Sequence, residues 1–158
     1  MPRKINLNKR FSTKETKFNS FLISILLNKI LKNGKKSLAK RILTDSFTII
    51  QQILHKDAKI VLEKAIRNIS PRVYLRPKYL GDKTYYVPVL LNRFKSTVLA
   101  ITWLIAAAKK RKKNTIAENL SNEILDAWKG IGGAIKKKEE IHKMSEANKA
   151  FLSLDENE

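Results

Sequence analysis

The sequence predicts a mainly α fold: a single domain of about six helices with one protruding β-hairpin. The chain has 158 residues, a length that suits one domain with its own buried core. Apolar residues recur at helical spacing in six segments, whereas residues 72–91 are rich in β-branched and aromatic residues. The two patterns together indicate helices interrupted once by a pair of strands.

The first three predicted helices are separated by short breaks. The first begins near Phe18 and ends near Gly34, since glycine is typical of helix ends. The second covers residues 37–54, and Asp57 is placed to cap a third that ends before Pro71. The predicted buried residues are Leu38, Ile42, Phe47, Ile50 and Leu54 in the second helix and Leu62, Ala65, Ile66 and Ile69 in the third.

Residues 72–91 predict a β-hairpin with its turn at Gly81 and Asp82. Pro77 and Pro88 lack the N–H that a ladder needs, so they suit an isolated ribbon better than a central strand. Because two strands alone are marginally stable, the hairpin is expected to rest on helices at its base and to project at its tip.

The four tyrosines of the chain all lie in this hairpin. Strand tyrosines usually pack across a ribbon or against a supporting helix, which is the favoured interpretation for Tyr74, Tyr85 and Tyr86. Tyr79 is closest to the turn and is the best candidate to stack on an unpaired base. Stacking by the other three stays an open alternative.

The last three predicted helices cover residues 96–108, residues 116–128 and the segment from Ala134 onward. Trp103 and Trp128 lie on their apolar stripes and are predicted to be core residues. No internal repeat is visible, so the helices and the hairpin are assigned to one domain, residues 17–151, between a basic arm (1–16) and an acidic tail (152–158).

The charge of the chain points to a polyanionic partner. Its 33 Lys plus Arg against 14 Asp plus Glu give a net charge of +19, and such an excess favours nucleic acid. A single basic cluster is usually solvated surface. Five clusters without balancing acids favour a surface that binds a polyanion instead. The clusters are the arm, predicted to be disordered alone, Lys32 with Lys35 and Lys36, Arg76 with Lys78 and Lys83, residues 109–113, and residues 136–138.

Several other classes are excluded or disfavoured. Absence of cysteine excludes disulfides and thiolate chemistry, and the two histidines have no partner at zinc-ligand spacing. Residues 34–37 only partly match a phosphate-binding loop. The longest apolar run, residues 21–27, is too short for a bilayer, and the N-terminus lacks a secretory signal pattern. We expect no enzyme activity, cofactor, metal, membrane or small-molecule partner.

The segment KKKEEIHKMSEANKAF, residues 136–151, places glutamates and a histidine beside lysines, which raises the alternative of an acid/base site. A helical wheel separates three faces. The apolar face, interpreted as the face that docks the helix, consists of Ile141, Met144 and Phe151. The face without acids, interpreted as RNA-binding, consists of Lys138, His142, Ser145 and Lys149. The mixed face consists of Glu139, Glu146, Lys136 and Lys143, and its glutamates are interpreted as helical partners of lysines, Glu139 with Lys143 in particular.

Four segments of the chain form a recognisable pattern in order and spacing: GKKSLA (34–39), GDKTYYVPV (81–89), LAITWLIAAAKKR (99–111) and KKKEEIHKMSEANKAF (136–151). This pattern resembles small ribosomal subunit protein seven of the bacterial and organellar type, and the last segment reads most like the plastid branch. The resemblance implies a helical protein with a hairpin that binds the 3′ major domain of the small-subunit rRNA, organises head assembly and lines the exit site near mRNA and tRNA.

The clusters and the resemblance together predict two sets of contacts. The rRNA-binding set is Arg3, Lys4, Lys9, Arg10, Lys32, Lys35, Lys36, Arg76, Lys78, Arg93, Lys95, Lys109, Lys110, Arg111, Lys112, Lys113, Lys136, Lys137 and Lys138. The exit-site set is Tyr79, Leu80, Gly81, Asp82, Lys83, His142, Lys143, Met144, Ser145, Asn148 and Lys149.

The partners expected beyond RNA are other head proteins and a platform protein, and the expected location is a plastid ribosome, with a mitochondrial ribosome or bacterial cytoplasm as alternatives. At the hairpin tip, Tyr79 replaces a usual cation and Asp82 a usual glycine, which weakens the expected tip contacts. The acidic tail stands where relatives often end in an aromatic and basic one. The competing interpretation is a basic DNA-organising or regulatory protein.

Overall fold

The computed structural model describes residues 20–111 and 114–150. Within these residues the chain forms six helices and one two-stranded antiparallel sheet, which confirms the predicted fold class. The elements are α1 (Phe21–Ile30), α2 (Lys36–Leu54), α3 (Ala58–Ile69), β1 (Val73–Leu80), β2 (Lys83–Leu90), α4 (Arg93–Lys110), α5 (Ile116–Lys129) and α6 (Gly133–Ala147). None of these helices is both long and apolar enough to cross a membrane.

Local sequence signals set several helix ends. The Asp57 carboxylate accepts a hydrogen bond from the Lys59 N–H at 2.9 Å, which confirms the predicted cap of α3. Thr115 caps α5 through the Glu118 N–H at 3.3 Å. Gly130 ends α5 in the left-handed conformation, with φ 88°. α4 begins at Arg93, earlier than the predicted Ser96, because the extended Asn92 serves as its N-cap.

α5 lies at the centre of the core, since it packs against α2, α3, α4 and α6. Its apolar stripe is buried as predicted, with Leu120 and Ile124 almost inaccessible to solvent. Each fully buried side chain of this size stabilises the fold by about 1.5–3 kcal/mol. Buried residues from the surrounding helices include Leu26, Ile50, Leu62, Leu104 and Ile135.

Several predicted core residues lie nearer the surface, among them Ile42 and Leu54, which are half-buried. Leu38 is exposed, because it occupies the first turn of α2 and borders an open groove. Trp103 and Trp128 are half-buried at the edge of the core. The ammonium groups of Lys56 and Lys64 lie 5.4 and 4.7 Å from the Trp128 ring centroid, so cation–π contacts cover the part of the indole that the core does not.

The hairpin rests on helices at its base, as predicted. β1 packs against α6, Val87 is buried, and the Ser96 hydroxyl of α4 donates to the Pro71 carbonyl at 2.7 Å. Gly81 forms the turn with φ 57°, a conformation that glycine adopts readily. Tyr79, near this turn, is 75% exposed, so the tip projects into solvent.

Candidate nucleic-acid interface

Two basic clusters that are distant in sequence meet in one groove. Lys32 and Lys35, from the loop between α1 and α2, and Lys109, from the end of α4, line a cavity of about 330 Å³. Its floor is apolar, formed by residues such as Leu38 and Ile105, and none of the residues that line it is acidic. We call it the lysine groove. Lys36 and Lys110 are exposed next to it in sequence.

The hairpin presents its cations and Tyr74 on one face and the exposed rings of Tyr79 and Tyr86 on the other. In the register Arg76 pairs with Val87, Lys78 with Tyr85, and Leu80 with Lys83. Since paired residues share a face and alternate residues repeat it, the three cations lie on the same side. Tyr79 and Tyr86 lie on the opposite side and are exposed. The predicted packing of Tyr86 is therefore partial, because 53% of its surface is exposed.

A second groove separates α1, the base of β1 and the first half of α4. It has a volume of about 450 Å³ and is lined by Lys29, Tyr74, Leu91, Phe94, Lys95, Val98, Leu99 and Thr102. We call it the aromatic groove. Lys95 and the neighbouring exposed Arg93 were predicted, and Tyr74 was expected to pack, with stacking as the alternative. Lys29 and Phe94 were not predicted. Two features of the sequence could have indicated these residues. Lys29 interrupts an apolar helix, and Phe94 stands between two cations, Arg93 and Lys95.

Arg111 lies at the edge of the core, where two carboxylates of α5 hold its guanidinium. Its guanidinium bonds Glu123, with Nε to Oε2 at 2.8 Å, and also pairs with Asp126. Burial alone would lower the pKa of Arg111, but hydrogen bonds to Asp126 and Glu123 outweigh it and raise that pKa. With two carboxylates compensating its charge, Arg111 contributes little to attracting a polyanion, which contradicts its predicted role.

The buried face of α6 differs from the predicted docking face. Ser145 is only 5% exposed, whereas Met144 is 49% exposed. Lys138 is half-buried and donates its ammonium to the Asn68 carbonyl of α3 at 2.7 Å. The assignment of Lys138, His142 and Ser145 to an RNA-binding face is therefore wrong, because α6 packs with this side against α3 and β1.

His142 joins α6 to the start of the hairpin. Its Nε2 accepts a hydrogen bond from the Arg72 N–H at 3.4 Å. Burial, then the charges of Lys138 and Arg72, lower the pKa of His142, and Glu146 opposes them. The neutral imidazole, the form able to accept, is thus favoured in the folded protein. This role is structural, and no acid/base pair with a glutamate is formed in the described residues.

The exposed side chains of α6 include three lysines, Lys136, Lys137 and Lys143, and three glutamates, Glu139, Glu140 and Glu146, together with Met144. Lys149 is exposed just beyond the helix, and Asn148 is half-buried at its C-cap. Lys137 pairs with Glu140 at 3.0 Å. The predicted pair of Glu139 with Lys143 is not formed in the part of the chain that the structure describes. The solvent face of α6 is therefore cationic but mixed with carboxylates, so its field is weaker than that around the lysine groove.

A protein-family comparison agrees with these features. The family model described as ribosomal protein S7p/S5e matches residues 2–149. The chain belongs to this family. Membership confirms the resemblance in the four sequence segments and covers the hairpin, the six helices and most of the basic arm.

Similar proteins of known name cover nearly the whole chain. Small ribosomal subunit protein uS7 of Dictyoglomus thermophilum is 41% identical over 151 residues, 96% of this chain and 97% of the relative. The uS7 of Acetivibrio thermocellus is 42% identical with the same coverage. Small ribosomal subunit protein uS7c of Euglena gracilis is 44% identical over 154 residues, 98% of this chain and 99% of the relative.

Some predicted residues of this S7p/S5e family member lie outside the described part of the chain. They are Arg3, Lys4, Lys9, Arg10, Lys112 and Lys113, together with Phe151 and the acidic tail. Among the residues that the structure does describe, no group of His, Asp and Glu side chains could hold a metal ion. The described interface is therefore built from lysines, arginines and aromatic rings on separate elements.

Proposed function

We propose that the protein is a structural constituent of the small ribosomal subunit that binds the 3′ major domain of its rRNA and organises assembly of the head. The match to the S7p/S5e family over residues 2–149 carries this proposal. Exposed cations from several elements of a chain with net charge +19 support it. The role needs no catalysis, because binding alone fixes the RNA.

The mechanism follows from the geometry of the core. Lysines held around a rigid groove contact phosphates without burying their charge, whereas side chains on the hairpin extend the contact to a second region. Folded RNA is recognised largely through its shape and backbone. A protein that presents several separate cationic surfaces from one core can therefore hold several RNA helices in a fixed arrangement.

The hairpin tip and the end of α6 are the proposed exit-site region. β1 contacts α6 near the base of the hairpin, and Tyr79, Lys83, Lys143 and Lys149 are exposed on the hairpin and at the end of α6. Exposed rings and cations suit single-stranded mRNA and a tRNA loop, through stacking and phosphate contacts. Ser145 and Lys138 act here through packing, since Ser145 is buried and Lys138 donates to the Asn68 carbonyl of α3.

Neighbouring head proteins and a platform protein complete the proposed surroundings. Bacterial relatives and a chloroplast-type relative match the chain at similar identity, 41% and 44%. We place the protein in a plastid ribosome, with a mitochondrial ribosome and bacterial cytoplasm as alternatives. Co-sedimentation of the full-length chain with plastid small subunits tests this location directly.

The first expected result separates ribosomal binding from general DNA binding. At equal salt, the full-length protein should bind folded 3′-domain rRNA more tightly than random duplex DNA of similar length. The reason is that separate cationic surfaces match one folded RNA, whereas a duplex offers them no matching shape. Filter binding at several salt concentrations measures both affinities. Equal affinities would contradict the ribosomal proposal and support a DNA-organising protein.

The second expected result tests the lysine groove. Replacing Lys35 and Lys109 by glutamine should reduce the slope of log affinity against log salt by about 1.4–1.8, because each phosphate contact contributes about 0.7–0.9. The matched control replaces Arg67 and Lys129, two exposed cations near the opposite end of α5. A slope that falls equally in both double variants would show that the groove is not a specific contact.

A further inference from the structure

The aromatic groove has the composition of a site for an unpaired nucleotide. Tyr74 and Phe94 line it from β1 and α4, and 40% and 47% of their surfaces are exposed. Lys29 and Lys95 line the same groove. We propose that an unpaired rRNA nucleotide stacks its base on these rings and places its phosphate near the two ammonium groups. This inference rests on the proposed function and adds a specific subsite to it.

The rings are held in place before any ligand arrives. Phe94 contacts Phe21 of α1, with ring centroids 6.2 Å apart and planes tilted by 37°. Tyr74 lies in the strand ladder opposite Val89, and β1 is braced by α6. A base that enters the groove therefore meets rings on rigid elements, which reduces the ordering cost of binding.

The charge around the groove favours RNA over a protein segment. None of its lining residues is acidic, whereas Lys29 and Lys95 bring two cations to it from different helices. An apolar peptide side chain would use the walls formed by Val98 and Leu99 but would leave both lysines without an anion. A nucleotide supplies a flat apolar surface and a phosphate in one unit. The lysine groove, by contrast, has no aromatic ring among its lining residues.

The test replaces the rings while keeping an apolar surface. Tyr74→Leu and Phe94→Leu, separately and together, are compared with the wild type in binding folded 3′-domain rRNA at fixed salt. Losing one stacked base should weaken binding by about 5- to 100-fold in the double variant. The slope against salt should stay unchanged, because the lysines remain. The control Tyr86→Leu makes the same chemical change on the opposite face of the hairpin.

A second measurement does not depend on affinity. Ultraviolet irradiation of the wild-type complex should cross-link a nucleotide to the peptide that contains Tyr74 or to the one that contains Phe94, as located by mass spectrometry. The circular dichroism and urea unfolding of each variant establish that the fold is retained. A variant that fails to fold leaves the cross-link in the wild type as the deciding result.

The outcomes distinguish the subsite from the function on which it rests. If the wild type prefers the rRNA but the double variant binds equally well and no cross-link forms, the nucleotide subsite is overturned and the ribosomal proposal stands. A double variant that binds RNA normally but is lost from assembled subunits would assign the groove to a protein segment instead. A wild type without preference for the rRNA overturns both. Equal losses in Tyr86→Leu and Tyr74→Leu would also overturn the specific site.

Discussion

Replacing Glu123 by alanine is expected to lower the free energy of unfolding by about 2–4 kcal/mol. The Glu123 side chain is 1% exposed and holds three elements together. Its Oε2 accepts from Arg111 Nε at 2.8 Å and its Oε1 accepts from the Ala134 N–H at 2.9 Å. Alanine would leave a buried N–H without an acceptor, and it would remove a carboxylate from a guanidinium that is one-third exposed.

The size of this effect depends on how far the surroundings can compensate for the lost carboxylate. Gly132 packs so closely on Glu123 that an added Cβ would lie 3.0 Å from Oε1. Glu123 also lines a cavity of about 430 Å³ with Arg111 and Gly133, so water can enter there and replace part of the lost hydrogen bonding. Arg111 can keep its pair with Asp126, so the loss should stay below the upper range for a broken buried ion pair, about 5 kcal/mol.

Urea unfolding of the isolated protein measures this loss, and the melting temperature should fall by about 5–15 °C. Glu123→Gln keeps an acceptor for the Ala134 N–H but removes the charge, so it should cost less than alanine. The control Glu140→Ala breaks the exposed pair with Lys137, which should cost less than about 1 kcal/mol. Equal losses in Glu123→Ala and Glu140→Ala would contradict a structural role for the buried carboxylate.

The burial of Glu123 could have been predicted from the sequence in part. It follows Leu120 by three residues and precedes Ala127 by four, which places it at the edge of the apolar stripe of α5. A carboxylate there must be paired, since an unpaired buried charge is too costly. The identity of its partner could not be predicted, because Arg111 lies across a loop and was grouped with the lysines before it.

The helices themselves were predictable because their signals are local. Apolar spacing, the Asp57 cap and the Gly81 turn each act over a few residues, and each appears in the structure where expected. The meeting of Lys35 with Lys109 was not predictable, since it depends on how α2 and α4 pack. Nothing in either segment encodes that distance.

The error in α6 has a specific cause. The predicted docking face of α6 consists of Ile141, Met144 and Phe151, whereas the buried residues of the helix also include Ala134 and Ile135. Because Ala134 and Ile135 are buried, the buried face of α6 is rotated by about 100° from the predicted docking face, which is the angle between successive residues of a helix. Ser145 lies within this rotated face. A small residue such as Ser145 allows close approach of neighbouring elements, so its polarity was a misleading signal.

Lys138 and Lys149, which were assigned to one RNA-binding face, differ in the structure: Lys138 is half-buried and Lys149 is exposed. Lys138→Glu is expected to lower the free energy of unfolding by about 1–3 kcal/mol, because it removes a charged donor from the Asn68 carbonyl and puts a carboxylate near it. Asn68 also bonds the carbonyls of Ala127 and Trp128 through its side chain, at 3.0 and 3.3 Å. The substitution therefore acts where α3, α5 and α6 meet.

Lys149→Glu is the matched control, since it makes the same change of charge at an exposed position beyond α6. Its effect on stability should stay within about 0.5 kcal/mol. Urea unfolding compares the two variants, and binding to 3′-domain rRNA is measured at a temperature where both are folded. If Lys138→Glu unfolds like the wild type yet loses RNA affinity, Lys138 contacts RNA directly and the packing assignment is wrong. If Lys149→Glu alone weakens RNA binding, the end of α6 carries the contact and Lys138 holds the helix that presents it.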